Sequence, residues 1–433
     1  MADTIGHGRV LRIALPIVLS NATVPLLGAV DTGVVGQMGQ AAPIGAVGLG
    51  AVVLATFYWI FGFLRMGTSG LAAQAHGAGH LAERDATLIR ALLIGLGAGL
   101  VFIAWQVLLF WLAFRVAPAS AEVEALARDY LALRIWGAPA TIALYAVTGW
   151  LIALERTRGV LLLQLWMNGL NIGLDLWFVL GLGWGVPGVA IATLIAEWSG
   201  LALGLWLCRD GLRRLPRGRL FDAPAWRRLV GVNGDIMLRS VLLQGAFTTF
   251  IFLGARQGDV TLAANQVLMQ FLEITAYALD GIAVAAETLV GQAVGARAAG
   301  DLRRTIRIVF HWGCIGAGLL ALGFALAGPV IIDVMTTAPE VRISARDYLW
   351  WMVAAPLLGV TSWLWDGIYI GATATREMRN LMILCVSAYA ALLAMLVPAF
   401  GNHGLWASMM GLYVLRGLTQ TLRWPGIAQR LTT

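Results

Sequence analysis

The chain has 433 residues, 59% of them hydrophobic and only 12% charged, with a mean hydropathy of +0.80. A soluble domain carries about 25% charged residues, so this composition excludes an ordinary water-soluble enzyme and points to an all-α integral membrane protein. The net charge of +7 does not indicate nucleic acid as a partner. The excess arginines fall in loops, where membrane insertion and anionic lipid account for them.

Apolar stretches long enough to cross roughly 30 Å of hydrocarbon as helices are predicted at 10–36, 45–75, 86–114, 128–154, 159–182 and 187–208. Six more follow at 228–254, 261–290, 303–328, 343–371, 379–400 and 404–425. The first carries Asp31, is longer than a signal-peptide core and has no small-residue cleavage site, so it reads as a retained span. Between the two sets runs the Arg-rich, Pro-containing "RDGLRRLPRGRLFDAPAWRR". The expected organisation is therefore a six-helix lobe over 1–208, a cytoplasmic linker over 209–227 and a second six-helix lobe over 228–433. All 30 basic Lys+Arg positions are Arg. With both termini cytoplasmic, 22 lie on the inside, six outside (including Arg134) and two, Arg65 and Arg239, within spans, as the positive-inside rule demands.

The two lobes are copies. Arg128-Asp129-Tyr130-Leu131 recurs as Arg346-Asp347-Tyr348-Leu349, and 346 − 128 = 218. The same offset carries Gln74 onto Gln292, Gly77 onto Gly295 and Thr87 onto Thr305, while Gly185 and Gly188 answer to Gly401 and Gly404 at an offset of 216. Two pseudo-symmetric membrane units suggest a transporter. No GxxxxGK[ST] loop, HExxH or GxSxG motif is present, which removes the signatures of an ATPase, a zinc protease or a hydrolase. No cofactor and no metal site is expected, only a coupling ion, H+ or Na+. Cys208, Cys314 and Cys385 have no ligand spacing and read as small core hydrophobes. Of 52 Gly and 18 Trp, most glycines are expected to let helices approach closely and many tryptophans to sit at interfaces.

Acids inside a bilayer are costly and persist where they face protein or a wet cavity. Eight fall in predicted spans: Asp31, Asp175, Glu197, Asp235, Glu273, Asp280, Glu287 and Asp366. Asp31 follows Pro16 and Pro25, either of which can bend the first helix. In the fifth span Asn171 is four residues before Asp175 and Asn168 seven, so all three share one helical face. Through the repeat Asp31 falls on Thr249 and Asp366 on Gly149, so the lobes share a scaffold and differ in chemistry. Arg65 and Arg239 are the expected partners of the remaining acids, and with Asp280 and Asp366 they form the polar network expected for the second lobe. In the first lobe Arg65 is the only basic residue expected near Asp31 and Asp175. Two carboxylates that share a poorly hydrated site favour uptake of one proton, which is the requirement for proton-coupled transport.

Several segments together resemble the multidrug and toxic compound extrusion transporters, in the branch of the DNA-damage-inducible protein F. They are "RIALPIVLSNATVPLLGAVDTGVVGQMG", "FGFLRMGTSGLAAQAHGAG", "NGLNIGLDLWFVLGLGWGVPGVAIATLIAEW", "LAANQVLMQF", "DGIAVAAETLVGQAVGA" and "WDGIYIGATATREMRN". The resemblance implies twelve helices in two six-helix bundles arranged as a V, with alternating access. It also implies export of organic cations or amphipathic compounds against protons or sodium. It gives Asp31, Asn171 and Asp175 the role of the cation site, Pro16 that of the bending proline, Thr193 that of a polar neighbour, and leaves Tyr145 and Tyr130 as alternatives for an associated tyrosine. The expectation is thus a multi-pass efflux antiporter of a prokaryotic inner membrane, a monomer not acting as an enzyme, with small drug-like substrates and lipid around it. A sodium-coupled exporter and a lipid-linked intermediate flippase are the alternatives.

Overall fold

The computed structural model describes residues 5–37, 41–116, 119–214 and 217–432; the side chains of 24–29, 31–32, 41, 217 and 432 lie outside the described set. Among the described residues the regular structure is helical throughout, as lipid requires of segments that must satisfy their own backbone. In chain order the helices are α1 (His7–Gly36), α2 (Ala41–Trp59), α3 (Gly62–Gly77), α4 (Leu81–Ala104), α5 (Gln106–Val116), α6 (Ala121–Arg134), α7 (Ala138–Ala153), α8 (Thr157–Asp175) and α9 (Gly185–Leu207). Then come the short α10 (Arg209–Arg213) and α11 (Arg217–Leu220), followed by α12 (Ala223–Ala255), α13 (Asp259–Gly295), α14 (Ala299–Met335), α15 (Pro339–Gly371) and α16 (Thr375–Thr432).

Nine stretches among the described residues are long and apolar enough to cross a membrane. The twelve expected spans all fall on helix, but not as twelve separate helices. The span expected at 45–75 is α2 and α3 with a break at Ile60 and Phe61. Those expected at 379–400 and 404–425 form the single run α16, kinked where Gly401 adopts φ 54. Buried amides hold that kink: Asn265 and Asn402 exchange hydrogen bonds of 2.8 and 2.9 Å, and Trp406 Nε1 donates to Asn265 Oδ1 at 2.9 Å.

The chain divides into two compact units, Leu19–Asn233 and Met1–Val18 with Gly234–Thr433. In the first, the Arg-rich stretch is not an open loop. Arg90 binds the carbonyls of Arg219 and Leu220, and Arg156 donates to Asp210 Oδ2 at 2.8 Å. The Arg156 guanidinium holds the exposed Asp210 carboxyl below the usual carboxylate range. In the second unit the start of α1 packs on α13 and α14. Arg9 Nη2 donates to Gln292 Oε1 at 3.0 Å, Trp312 Nε1 to His7 Nδ1 at 3.1 Å, and Gly281 lies flush on the Ala14 carbonyl. Its aromatic core includes edge-to-face pairs Phe271–Phe324 at 5.0 Å and Phe250–Trp406 at 4.5 Å, a favoured ring geometry.

Backbone conformation repeats with the sequence. Gly79 (φ 73) and Arg297 (φ 51) are 218 apart, as are Glu155 (φ 59) and Thr373 (φ 50), while Gly185 (φ 58) and Gly401 (φ 54) are 216 apart. The first four end helices α3, α13, α7 and α15 with the same left-handed cap. In each, the following N–H reaches back five residues, as in His80 N to Ala75 O and Ala298 N to Ala293 O, both 2.9 Å. Such caps satisfy orphan carbonyls at helix ends. Three of the four use a residue with a Cβ, at a steric cost of roughly 1–2 kcal/mol, so the tertiary fold and not the residue type dictates the turn.

Helix crossings repeat as well. A Cβ on Gly149 of α7 would strike the Arg65 carbonyl of α3, and one on Gly367 of α15 would strike the Ala283 carbonyl of α13; both members are displaced by 218. Small residues at such crossings permit the close packing that drives helix association in lipid. Gly149→Val is therefore expected to destabilise the protein by about 1–3 kcal/mol, the range for overpacking, read as a lowered detergent-solubilised melting temperature. A melting temperature equal to that of the wild type would show that the crossing can open at no cost.

Candidate functional site

Within the Leu19–Asn233 unit, α8 carries one polar face. Asn168, Asn171 and Asp175 are all buried, and Asp175 is wholly shielded from solvent. Asn168 Nδ2 donates to Thr23 Oγ1 at 3.0 Å and to the Thr23 carbonyl at 3.3 Å, while its Oδ1 accepts from Gln164 Nε2 at 3.0 Å. Asn171 Nδ2 donates to Thr193 Oγ1 of α9 at 3.1 Å, and that hydroxyl donates to the Val189 carbonyl at 2.9 Å. The i, i+4 spacing read from the sequence thus makes one contiguous amide and hydroxyl stripe. Thr23 and Gln164 extend it; Gln164 lies one helical turn before Asn168 and was readable from spacing, whereas Thr23 on α1 was not.

Directly after Asp175 the helix widens into a π-helical segment, Leu176–Gly181. There the backbone bonds run i to i−5, as in Leu182 N to Trp177 O at 2.9 Å. Such segments frequently mark functional sites because they break the regular ladder at one place. Asp175 therefore sits at the junction between the α-helical and π-helical ladders.

Asp31 belongs to α1, and its side chain lies outside the described residues. Pro16 is a buried residue of the same helix, in the part assigned to the other compact unit. Of the two tyrosine alternatives, Tyr130 on α6 is buried and lies flush against Gly50, and Tyr145 on α7 is half-buried.

The other intramembrane acids divide by their partners. Arg134, counted from the sequence as an outer-loop residue, is buried, and its Nη1 and Nη2 donate to Glu197 Oε2 and Oε1 at 2.6 and 2.9 Å. Glu197 thus finds its partner in Arg134, where the sequence suggested Arg65. The pairing also explains Gly137, where a Cβ would collide with the Glu197 carboxylate. Asp235 accepts from Arg379 Nη1 at 2.6 Å and from Thr375 Oγ1 at 3.2 Å. Arg65 and Asp280 are both half-buried, Arg65 on α3 and Asp280 on α13. Of the three thiols expected in the core, only Cys314 departs: it lies on an exposed face of α14, whereas Cys208 and Cys385 are buried.

In the second unit Arg239 and Asp366 meet. Asp366 Oδ2 accepts from Arg239 Nη2 and, at 2.6 Å, from Arg416 Nη2, and its Oδ1 accepts from Gln420 Nε2 at 3.0 Å. Arg416 was counted from the sequence with the cytoplasmic arginines; it is buried on α16, one of the most shielded charges in the protein. Its position within the span expected at 404–425 is the sequence signal for this burial.

Comparison with known proteins agrees with these features. The MatE family model matches residues 16–177 and again 236–396, one match in each copy. The DNA damage-inducible protein F of Escherichia coli (strain K12) is 41% identical over 418 residues, covering 95% of this chain and 91% of its own. A probable multidrug resistance protein NorM of Neisseria meningitidis serogroup B is 26% identical, covering 87% of this chain and 79% of its own. Among solved structures, the Vibrio cholerae MATE transporter VcmN in the bent form superposes with a TM-score of 0.86 at 19% identity, over 98% of this chain and 97% of that one. A MOP superfamily transporter from Pyrococcus furiosus gives a TM-score of 0.87 at 18% identity, over 99% and 97%. With a doubled helical membrane unit, a buried polar stripe and these matches, the chain belongs to the MatE family of multidrug and toxic compound extrusion transporters.

Proposed function

We propose that the protein is a proton-coupled antiporter that exports organic cations or amphipathic compounds by alternating access. The observation that carries the reading is the complete burial of Asp175 on the stripe it shares with Asn171 and Thr193, next to a π-helical break. Taking up a proton changes a carboxylate from an acceptor into a donor. That inversion would force the Asn171 and Thr193 hydrogen bonds to rearrange. Asp31, on the helix that carries Pro16, is the proposed second member of the pair, and Tyr145 or Tyr130 the associated hydroxyl. Protonation from outside bends α1 and releases the compound; loss of the proton to the cytoplasm resets the carrier. The proposal includes a monomer in a prokaryotic inner membrane with both termini cytoplasmic, small drug-like substrates, and an ion in place of any cofactor.

The test is reconstitution into vesicles with an imposed pH gradient and an internal pH dye. Adding an organic cation is expected to dissipate the gradient in wild type and not in Asp31→Asn. Unchanged dissipation in the mutant would sink the pairing with Asp31. Export driven by a sodium gradient and indifferent to pH would transfer the reading to sodium coupling.

A further inference from the structure

The second unit holds a cavity of about 370 Å³ whose wall includes Arg239, Asp366 and Arg416 together with Phe247, Trp363 and Tyr413. That is within the size range of small-molecule sites, and the wall gathers two guanidiniums beside Asp366, Glu273 and three glutamines. Asp366 already accepts through both oxygens, from Arg239, Arg416 and Gln420. The donors are not used up. Nε and Nη1 of Arg416 and Nε of Arg239 are buried and meet no acceptor among the described residues. Two guanidiniums bond to one carboxylate, so this hydrogen-bonded cluster holds one positive charge in excess, while the Glu273 carboxylate elsewhere on the wall balances the cavity as a whole. Guanidiniums stay charged, and a buried charge without a counter-ion costs several kcal/mol. What completes the cluster is an acceptor with a single negative charge. Glu273 also lines the wall, and its carboxylate opposes a doubly charged guest.

We propose that this cavity binds an amphiphile through one anionic group, a carboxylate, sulfonate or phosphodiester, seated on Arg416, with its apolar body against Phe247, Trp363 and Tyr413. The site is opposite in polarity to the acid stripe on α8 and does not depend on which ion drives transport. Its ligand comes either from solution or from the headgroup of an anionic lipid, the chemistry being shared.

The experiment is equilibrium binding of naphthalene-2-sulfonate to the full chain in phosphatidylcholine nanodiscs, with empty nanodiscs subtracted and no ion gradient present. Saturable binding is expected that the cationic isostere naphthylmethylammonium does not displace. Arg416→Gln should weaken it by at least about tenfold, as expected when charge-assisted hydrogen bonds are lost. Asp366→Asn should tighten it severalfold, because the guanidiniums it occupies become available. These opposite signs separate a ligand site from a structural ion pair, which would make both variants lose binding together with their melting temperatures. Replacing the lipid by phosphatidylglycerol identifies the source: displacement of the probe marks a lipid phosphodiester, retention a soluble anion. Equal affinity in wild type and Arg416→Gln, loss in both variants, or no saturable binding in phosphatidylcholine would overturn the proposal.

Discussion

Asp175→Asn is expected to abolish proton-driven export, lowering the initial rate on the order of a hundredfold or more, the scale lost when a proton-transferring side chain is removed. The substitution keeps the volume of a fully buried side chain, so packing is conserved and the melting temperature should stay close to that of the wild type. An amide cannot take up and release a proton near neutral pH, so the cycle stops at the step where Asn171 and Thr193 would exchange partners. Asn171→Leu is expected to act in the same direction and less strongly, since it removes one hydrogen bond of 3.1 Å to Thr193 and leaves the titrating group. Equilibrium binding of a fluorescent organic cation should survive Asp175→Asn at one fixed pH while its pH dependence flattens. Vesicles in which the variant still collapses a pH gradient on adding substrate would remove Asp175 from the coupling site.

The largest stability effect is expected at the Arg134–Glu197 pair. Both side chains are less than a tenth exposed and joined by two short hydrogen bonds of 2.6 and 2.9 Å, the fork geometry that Arg makes best with a carboxylate. Glu197→Ala strands a guanidinium that cannot shed its proton. Removing one partner of a buried pair costs about 3–5 kcal/mol, read as a lowered midpoint of unfolding in detergent. Removing both charges together, as Arg134→Met with Glu197→Leu, is expected to recover most of that loss, because an apolar pair of similar volume pays no desolvation. If the single and double variants melt alike, the pair contributes nothing as a unit. Transport by the double variant should persist, since Glu197, one turn beyond Thr193 on α9, spends both carboxylate oxygens on Arg134; an inactive but well-folded double variant would instead make Glu197 part of the coupling path.

The sequence by itself determined whatever depends on neighbours along one helix. Hydropathy over some twenty residues marks where helices run, because lipid leaves the backbone no alternative to bonding within itself. Spacing of three, four and seven residues put Asn168, Asn171 and Asp175 on one face, and the offset of 218 between the copies reappears in the left-handed caps at Gly79 and Arg297 and at Glu155 and Thr373. What only the tertiary structure decided is which faces meet. Glu197 finds Arg134 at a separation of 63 residues, Asp366 finds Arg416 at 50 and Arg239 at 127. No helical period links such positions. Lipid is as apolar as the side chains it surrounds, so the rotation of each helix is set by close crossings such as Gly149 on Arg65 and Gly367 on Ala283 and by the polar groups those crossings bring within reach. Counting arginines by loop, a rule about insertion, consequently placed Arg134 and Arg416 at the surface, whereas packing buries both.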